Sequence, residues 1–211
     1  MSATVITYAV IMVRWEPDAR GRLGKAAFEL FAERGFEQVT VAEIAERAGL
    51  TERTFFRYFA DKREVLFAGT DAFRGLFVSA VENAPDSAAP IDAVAAALYA
   101  AAAPFLEHPV AVRRRQVIIA AHPELREREL IKLAAVAAAV ADALRGRGVG
   151  EPAASLTAET GMAVFKIAFE RWLADPGGPD LDQLIRESLD ELKVVAVGGS
   201  VVTGPIAAVG E

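Results

Sequence analysis

The chain has 211 residues, is rich in alanine, and carries a formal charge of −6. This length suffices for one or two compact domains, and the composition favours helix. The absence of cysteine excludes disulfides, thiolate catalysis and cysteine-based metal sites, and two histidines are too few for a histidine-rich metal site. From Arg14 to Glu64 there are ten basic and ten acidic residues, so the excess negative charge lies in the rest of the chain.

The chain begins with a run of apolar, uncharged residues, MSATVITYAVIMV. A helix needs about twenty residues to span a bilayer, so this run is too short. It also lacks the basic start of a secretory signal. We interpret residues 1–17 as an N-terminal extension, flexible or strand-like, or a product of a start codon assigned too far upstream. An arm that packs on the body or on a partner is the alternative. A cytoplasmic protein is expected.

A first amphipathic helix is predicted from about Asp18 to Arg34, because apolar residues recur there at helical spacing. Arg20, Arg22 and Lys25 lie near its N-terminal end. These three residues either contact a DNA backbone or lie in solvent, and both interpretations stay open.

The most informative stretch covers residues 39–67, VTVAEIAERAGLTERTFFRYFADKREVLF. Thr40 and Glu43 form a capping box in front of a short helix with one apolar face. Gly49 ends that helix because glycine tolerates a left-handed backbone, and Thr51 caps the helix that follows. Two short helices joined by a glycine-containing turn are typical of a helix-turn-helix DNA-binding motif.

The second of these helices is predicted from Glu52 to Phe59, with basic and polar residues around buried phenylalanines. A helix kept only for packing has no need of so many phosphate donors, so we prefer a recognition helix to two core helices joined by a turn. Asp61 and Glu64 are predicted to form a second capping box, for a helix that continues to about Asn83.

These residues resemble the TetR (tetracycline-repressor-like) family of transcriptional regulators over roughly residues 19–68, about a quarter of the chain. Phe56 stands where tyrosine is frequent in the family and Tyr58 where histidine is common, and both keep the aromatic packing. The positions in register with the family pattern are Gly35-Phe36, Thr40-Val41, Ile44-Ala45, Ala48-Gly49-Leu50-Thr51, Thr54-Phe55-Phe56, Tyr58-Phe59, Asp61-Lys62 and Val65-Leu66.

Eight residues are candidates for DNA contact. Arg53 and Thr54, in the first turn of the recognition helix, are the first choice for base edges, and Arg53 can form two hydrogen bonds to a guanine. Arg57, one turn further, can reach a base or a phosphate. The other candidates would contact the phosphate backbone of the DNA or position the residues that do. They are Thr40, Thr51, Phe56, Tyr58 and Lys62.

The resemblance implies an all-α fold of about nine helices. A three-helix DNA-binding domain, residues 18–67, would precede a helical effector-binding and dimerisation domain, residues 68–194. Residues 195–211 are interpreted as a flexible tail, with a packed strand as the weaker alternative. Within the second domain Pro104 is expected to kink or stop a helix. Helices are predicted over residues 91–106, 110–121, 156–173 and 181–194, and another begins at Pro123 or Glu124 and ends between about Gly146 and Gly150.

The last two predicted helices carry more apolar surface than two peripheral helices need. In a four-helix dimer interface this surface would be buried between subunits, and a dimer would bind a palindromic site. The alternative is that the same residues fill the core of one chain. The candidate interface residues are Met162, Phe169, Trp172, Leu184 and Leu189.

A small-molecule site is implied by the family rather than by a motif. Five aromatic residues are candidates to line a cavity, although each can equally be a core residue: Phe73, Phe77, Tyr99, Phe105 and Phe165. Such a cavity would suit a small hydrophobic effector, whose binding would shift the protein towards a state with lower operator affinity.

Two further features, a run of three arginines and the two histidines, are possible sites. Successive helical residues spread around the helix, so Arg113, Arg114 and Arg115 cannot share one face; ion pairs with Glu107, Glu124 or Glu127 are preferred to a second nucleic-acid patch. His108 and His122 each flank a proline at a helix end, where a cap or surface role is preferred to a catalytic one.

The sequence therefore predicts a DNA-binding transcriptional regulator, most simply a ligand-responsive repressor that binds a palindromic operator as a homodimer. No cofactor is predicted. An enzyme is disfavoured because the chain has no HExxH, no GxSxG and no glycine-rich phosphate loop. An interaction module with a vestigial helix-turn-helix is the other alternative, and the intact recognition helix argues against it.

Overall fold

The structure, a computed structural model, describes residues 19–197. The expectations for residues 1–17 and for most of the tail lie outside this range. Within it the chain forms nine α-helices, one 3₁₀ segment and no strand, which confirms the all-α prediction. The elements are α1 (Ala19–Arg34), α2 (Val41–Arg47), α3 (Glu52–Tyr58), the 3₁₀ segment (Lys62–Phe67), α4 (Thr70–Glu82), α5 (Pro90–Glu107), α6 (Pro109–Ala121), α7 (Pro123–Gly146), α8 (Ala153–Ala174) and α9 (Leu181–Ala196).

The helix-turn-helix is shaped by local hydrogen bonds. The Thr40 N–H donates to the Glu43 carboxylate at 2.8 Å and the Glu43 N–H donates to the Thr40 hydroxyl at 3.3 Å, which completes the first capping box. Gly49 has φ 65°, and the N–H groups of Gly49 and Leu50 donate back to carbonyls in the last turn of α2. This Schellman motif ends α2 and sets the direction of α3.

The predicted continuous helix from Asp61 to Asn83 is wrong. The chain forms the 3₁₀ segment, breaks at Ala68 and Gly69, and starts again as α4. Asp61 caps this segment by accepting from the Glu64 N–H at 3.0 Å, but the Glu64 carboxylate does not return to Asp61. That carboxylate binds two cations of α7, so the second capping box is only half formed. We call residues 61–69 the hinge.

Helices α4 to α9 surround a separate core in the C-terminal domain. Helix α5 contacts α4, α8 and α9, and it is the one described helix long and apolar enough to cross a membrane. Many of its apolar side chains, including Val94, Leu98 and Phe105, are buried in the C-terminal core, which accounts for its composition without a membrane. Pro104 does not stop α5, which ends one turn later at Glu107.

The core of the DNA-binding domain is completed by residues from the C-terminal domain. Ile119 of α6 and Leu125 of α7 are fully buried among the side chains of α1 to α3 and the hinge. Between them His122 stacks edge-on against Phe36 and lies 3.2 Å from the Glu37 carboxylate. The corner between α6 and α7 therefore fixes how the DNA-binding domain sits on the rest of the chain.

Candidate nucleic-acid interface and effector cavity

The recognition helix α3 buries one face and exposes the other. Phe55 and Phe59 are buried against α1 and the hinge, as predicted. The opposite face leaves Arg53 exposed, and the Phe56 side chain is 55% exposed. The outward face of α3 therefore presents Arg53 and Phe56 to solvent, while its inward face completes the core of the DNA-binding domain.

Hydrogen bonds arrange the polar groups on this exposed face. The Thr51 hydroxyl accepts from the Thr54 N–H at 3.2 Å and lies 3.1 Å from the Thr54 hydroxyl. One turn further, the Arg57 guanidinium lies over the Tyr58 ring and donates to its hydroxyl at 3.1 Å. Helix α3 therefore begins with an ordered pair of hydroxyls and ends with a stacked arginine and tyrosine.

The basic residues of the domain fall into two groups. Arg34 is paired with Glu43 at 2.7 Å and Arg47 with Glu33 at 2.8 Å, so these two cations are largely neutralised. In contrast, the guanidinium of Arg53 forms no hydrogen bond or ion pair with any other residue in the range 19–197. The same holds within that range for Arg22 and Arg63. The cations left for a ligand are therefore few and include the one at the start of α3.

Lys62 has a different environment from the one predicted. Its ammonium group donates to the carbonyls of Phe36, Glu37 and Val39 at 2.9, 3.1 and 3.1 Å, and lies 4.6 Å from the centre of the Phe36 ring. An ammonium group has three N–H donors, and three carbonyls use all of them. We therefore revise the phosphate contact expected of Lys62 to a structural role, in which it fixes the connection from α1 to α2.

A cavity of about 840 Å³ lies between the hinge, the end of α5, and helices α4, α6, α7 and α8. This volume is within the range typical of small-molecule sites. Phe73, Phe105 and Phe165 line it, and Phe169 extends the aromatic wall. Phe77 is fully buried behind Phe73 and Phe165 and is a core residue.

Tyr99 does not line the cavity; it packs on the C-terminal core from α5. Sequence reasoning also missed the polar part of the lining. Five cationic side chains reach the cavity along with two carboxylates, Glu129 and Glu170, so the surface is not simply apolar. The cationic residues are Arg113, Arg115, Arg126, Lys132 and Lys166.

The arginine triplet of α6 supplies two of these cations. Arg113 lies over the Trp172 ring and donates to its carbonyl at 3.0 Å. Arg115 pairs with Glu129 at 3.2 Å and donates from Nε to the Leu66 carbonyl at 2.6 Å. Burial lowers the pKa of Arg115, and Glu129 opposes that shift. The ion-pair partners expected for the triplet were therefore wrong, because Glu129 of α7, rather than Glu107, Glu124 or Glu127, faces α6.

The hinge is also tied to α7 by ion pairs. Arg128 lies 2.6 Å from a Glu64 carboxylate oxygen and 3.1 Å from an Asp61 carboxylate oxygen. Lys132 lies 3.2 Å from the other oxygen of Glu64. We call these four residues the clasp. They join the DNA-binding domain to the helix that forms one wall of the cavity.

The dimer residues proposed from the sequence are placed mostly inside one chain. Met162, Trp172, Leu184 and Leu189 are each buried in the C-terminal core, between α8, α9 and their neighbours. Phe169 is partly buried and stacks on Trp172. Amphipathic spacing located the buried face correctly but assigned it to a second chain.

The outward face of α8 carries different apolar residues. Leu156 and Ile167 are 63% and 52% exposed, and Ala163 lies between them on the same face. Val194, near the end of α9, is also exposed. This face has no partner among the described residues.

A helix-turn-helix with an exposed recognition helix, fused to a helical domain with a cavity, defines the class of helix-turn-helix DNA-binding regulators. Residues 23–68 match the model of the bacterial regulatory proteins of the tetR family, and residues 88–196, just over half of the chain, match the MftR C-terminal domain. The chain belongs to the TetR family.

Individual relatives agree with this assignment. The chain is 29% identical over 156 residues to the putative mycofactocin biosynthesis transcriptional regulator MftR of Mycobacterium tuberculosis, covering 72% of this chain and 79% of that protein. It is 40% identical over 81 residues to the regulator TcmR of Streptomyces glaucescens, covering 38% of this chain but only 36% of TcmR.

Among solved structures, FadR of Thermus thermophilus, a TetR-family repressor crystallised with lauroyl-CoA, is 24% identical and aligns with a TM-score of 0.56 over 89% of this chain and 98% of FadR. This similarity shows a shared fold.

Proposed function

We propose that the protein is a ligand-responsive transcriptional repressor that binds a palindromic operator as a homodimer. The observation that carries this proposal is the position of the cavity. Leu66, Phe67 and Gly69 of the hinge form part of its wall, so a molecule bound there touches the segment that joins the two domains. Binding in the cavity and the orientation of α3 are thereby coupled through direct contacts.

The proposed DNA contacts follow from exposure and free donors. Arg53 binds a base edge in the major groove, because it lies in the first turn of α3 and has no partner in the range 19–197. Thr51 and Thr54, which flank Arg53 in the chain, contact the bases or a nearby phosphate. Thr40, Phe56, Arg57 and Tyr58 belong to the proposed backbone contact, while Lys62 is left out because its donors are already used.

The proposed dimer forms through the outward face of α8, with Leu156, Ala163 and Ile167, together with Val194 of α9. Burial of exposed apolar side chains between two copies of one face is favourable and generates two-fold symmetry. Such a dimer places two recognition helices on one side of the DNA, where they meet two half-sites. Because the operator is in the cytoplasm, we place the protein there.

Fluorescence anisotropy with labelled DNA from upstream of the coding region, titrated in salt, tests the proposal. A scrambled duplex of equal length is the control. Saturable binding of two protomers to the upstream duplex, with much weaker binding to the scrambled duplex, is expected. Equal binding to both duplexes, repeated with DNA selected from a random pool, would contradict the proposal.

Two variants refine that test. Arg53→Ala is expected to reduce the free energy of operator binding by about 1–3 kcal/mol and to relax the base preference at one position of the operator. Ile167→Asp is expected to give a monomer in sedimentation equilibrium, whereas Val110→Asp, at a valine that is also exposed but on α6, is expected to remain dimeric. A dimeric Ile167→Asp protein would show that another face forms the interface.

A further inference from the structure

Two cations that line the cavity also hold the hinge. Lys132 lines the cavity, and its ammonium group also holds Glu64 of the hinge. Arg115 lines the cavity, and its guanidinium also holds the Leu66 carbonyl. Both charges lie over the Phe67 ring, at 5.5 and 5.2 Å from its centre. A negative charge in the cavity therefore competes directly with hinge acceptors for these two donors.

The charge of the cavity lining is unbalanced in the direction that favours an anion. Five cations face two carboxylates. One of the two carboxylates, Glu129, already accepts from Arg115 and from Gln116. In addition, the buried Nε of Arg113 has no acceptor among the described residues. A buried donor without an acceptor is costly, and an acceptor on a ligand would relieve that cost.

The rest of the lining is apolar. Phe73, Phe105, Phe165 and Phe169 form a continuous wall in which each ring lies within 6 Å of another. A fully polar anion would leave the aromatic wall in contact with water, and a neutral hydrocarbon would leave the cations without a bound negative charge. The lining therefore matches a molecule with an apolar body and one anionic group.

We propose that the effector is an amphipathic anion and that its charged group releases the hinge by drawing Lys132 and Arg115 away from Glu64 and Leu66. This inference rests on the proposed function, because it names the ligand class and the mode of regulation of the same cavity. Release of Glu64 leaves Arg128 as the only cation on the hinge carboxylates within the range 19–197, so the DNA-binding domain gains freedom relative to α7. Operator affinity falls because the two recognition helices no longer hold their spacing.

Three probes with the same ten-carbon chain separate charge from hydrophobicity: decanoate, 1-decanol and decyltrimethylammonium, each kept below micelle-forming concentrations. Binding is measured by calorimetry, hinge opening by hydrogen exchange of residues 61–69, and operator affinity by anisotropy. Decanoate is expected to bind, to speed exchange in the hinge, and to weaken operator binding by at least about fivefold. Decanol is expected to leave hinge exchange unchanged, and the cation is expected not to bind.

Variants test whether the effect passes through the clasp. In Lys132→Met and in Glu64→Gln the Lys132–Glu64 ion pair is already lost without a ligand. Decanoate is therefore expected to change operator affinity by less than about twofold. Lys166→Met is the matched control: Lys166 lines the cavity from α8 and pairs with Glu170, away from the hinge. This control is expected to need more decanoate but to reach the full wild-type response.

The proposal is overturned if decanoate does not bind, if decanol opens the hinge as decanoate does, or if Lys132→Met responds like the wild type. Calorimetry and hydrogen exchange require no DNA. A protein that binds no operator, but whose hinge opens with decanoate alone, would therefore refute the proposed function while supporting the charge mechanism.

Discussion

Replacing Lys62 by methionine separates a structural lysine from a phosphate-binding one. Methionine keeps most of the apolar stem and removes the ammonium group, so the carbonyls of Phe36, Glu37 and Val39 no longer share a charged donor. Hydrogen bonds to a charged group contribute about 1.5–3 kcal/mol, and the three bonds share one charge, so they do not add. Because the cation over the Phe36 ring is removed as well, we expect the free energy of unfolding to fall by about 2–3 kcal/mol.

The measurement is thermal or urea unfolding combined with a salt titration of operator binding. A loss of about 2–3 kcal/mol corresponds to a fall in Tm of roughly 4–12 °C for a chain of this size. In the titration, the slope of log affinity against log salt is expected to match the wild type, because Lys62 binds no phosphate. Arg63→Met is the matched control, since Arg63 is the exposed neighbour without a partner among the described residues, and its stability is expected to stay within about 0.5 kcal/mol.

A phosphate-binding Lys62 would give a different result in both measurements. If Lys62 does bind a phosphate, Lys62→Met leaves the Tm unchanged and reduces the magnitude of the salt slope by about 0.9 for each phosphate that the lysine had neutralised. That outcome would refute the structural role and restore the interpretation made from the sequence.

Three other predictions test the packing, the turn and the cap. Leu125→Ala is expected to cost about 2.7–5 kcal/mol in unfolding, because Leu125 is fully buried in the DNA-binding core. Leu130→Ala, at an exposed leucine on the same helix, is expected to cost under about 0.5 kcal/mol, and equal losses would contradict the shared core. Gly49→Ala, at φ 65°, is expected to destabilise by about 1–2 kcal/mol in urea unfolding, while Gly24→Ala, within α1 and with open space around it, is expected to stabilise. The Thr40 N–H, followed by Arg34 and the Thr40 hydroxyl, lowers the pKa of Glu43 from 4.5 to about 2. The ionised Glu43 carboxylate therefore stabilises the fold fully above pH 4.5, and this contribution is lost as the pH falls towards 2. In acid unfolding, the difference in stability between the wild type and Glu43→Gln is expected to shrink across that pH range.

The helix-turn-helix was predictable because its determinants are local. Thr40 and Glu43 are three residues apart, and Gly49 acts on its own φ angle, so a short stretch of sequence contains the whole signal. The hinge was not predictable in the same way. Asp61 and Glu64 have the spacing of a capping box, but Arg128, more than sixty residues later, binds the Glu64 carboxylate instead. A long-range ion pair overrode the local signal.

The cavity and the dimer face show a second limit. Helical spacing identifies an apolar face but does not say what covers it, so Trp172 and Leu184 were assigned to a partner although they pack within one chain. Likewise the aromatic residues of the cavity were partly foreseen, whereas its cations were not. Arg113 and Arg115 reach the cavity at positions where they also donate to the carbonyls of Trp172 in α8 and Leu66 in the hinge. Both contacts join residues about fifty or more positions apart, so they are a property of the tertiary fold.

The charge of the DNA-binding domain can be reconciled with DNA binding once ion pairs are assigned. Glu33 and Glu43 are held by arginines, and Asp61 and Glu64 are held by α7, so these carboxylates add little negative potential around α3. Two exposed carboxylates of the helix-turn-helix, Glu46 and Glu52, have no partner in the range 19–197, and Glu52 lies in the first turn of α3. A carboxylate there repels phosphate, but it can accept a hydrogen bond from cytosine N4 in the major groove. Non-specific attraction is therefore weak, and affinity has to come from correctly matched bases, which favours discrimination between operator and bulk DNA.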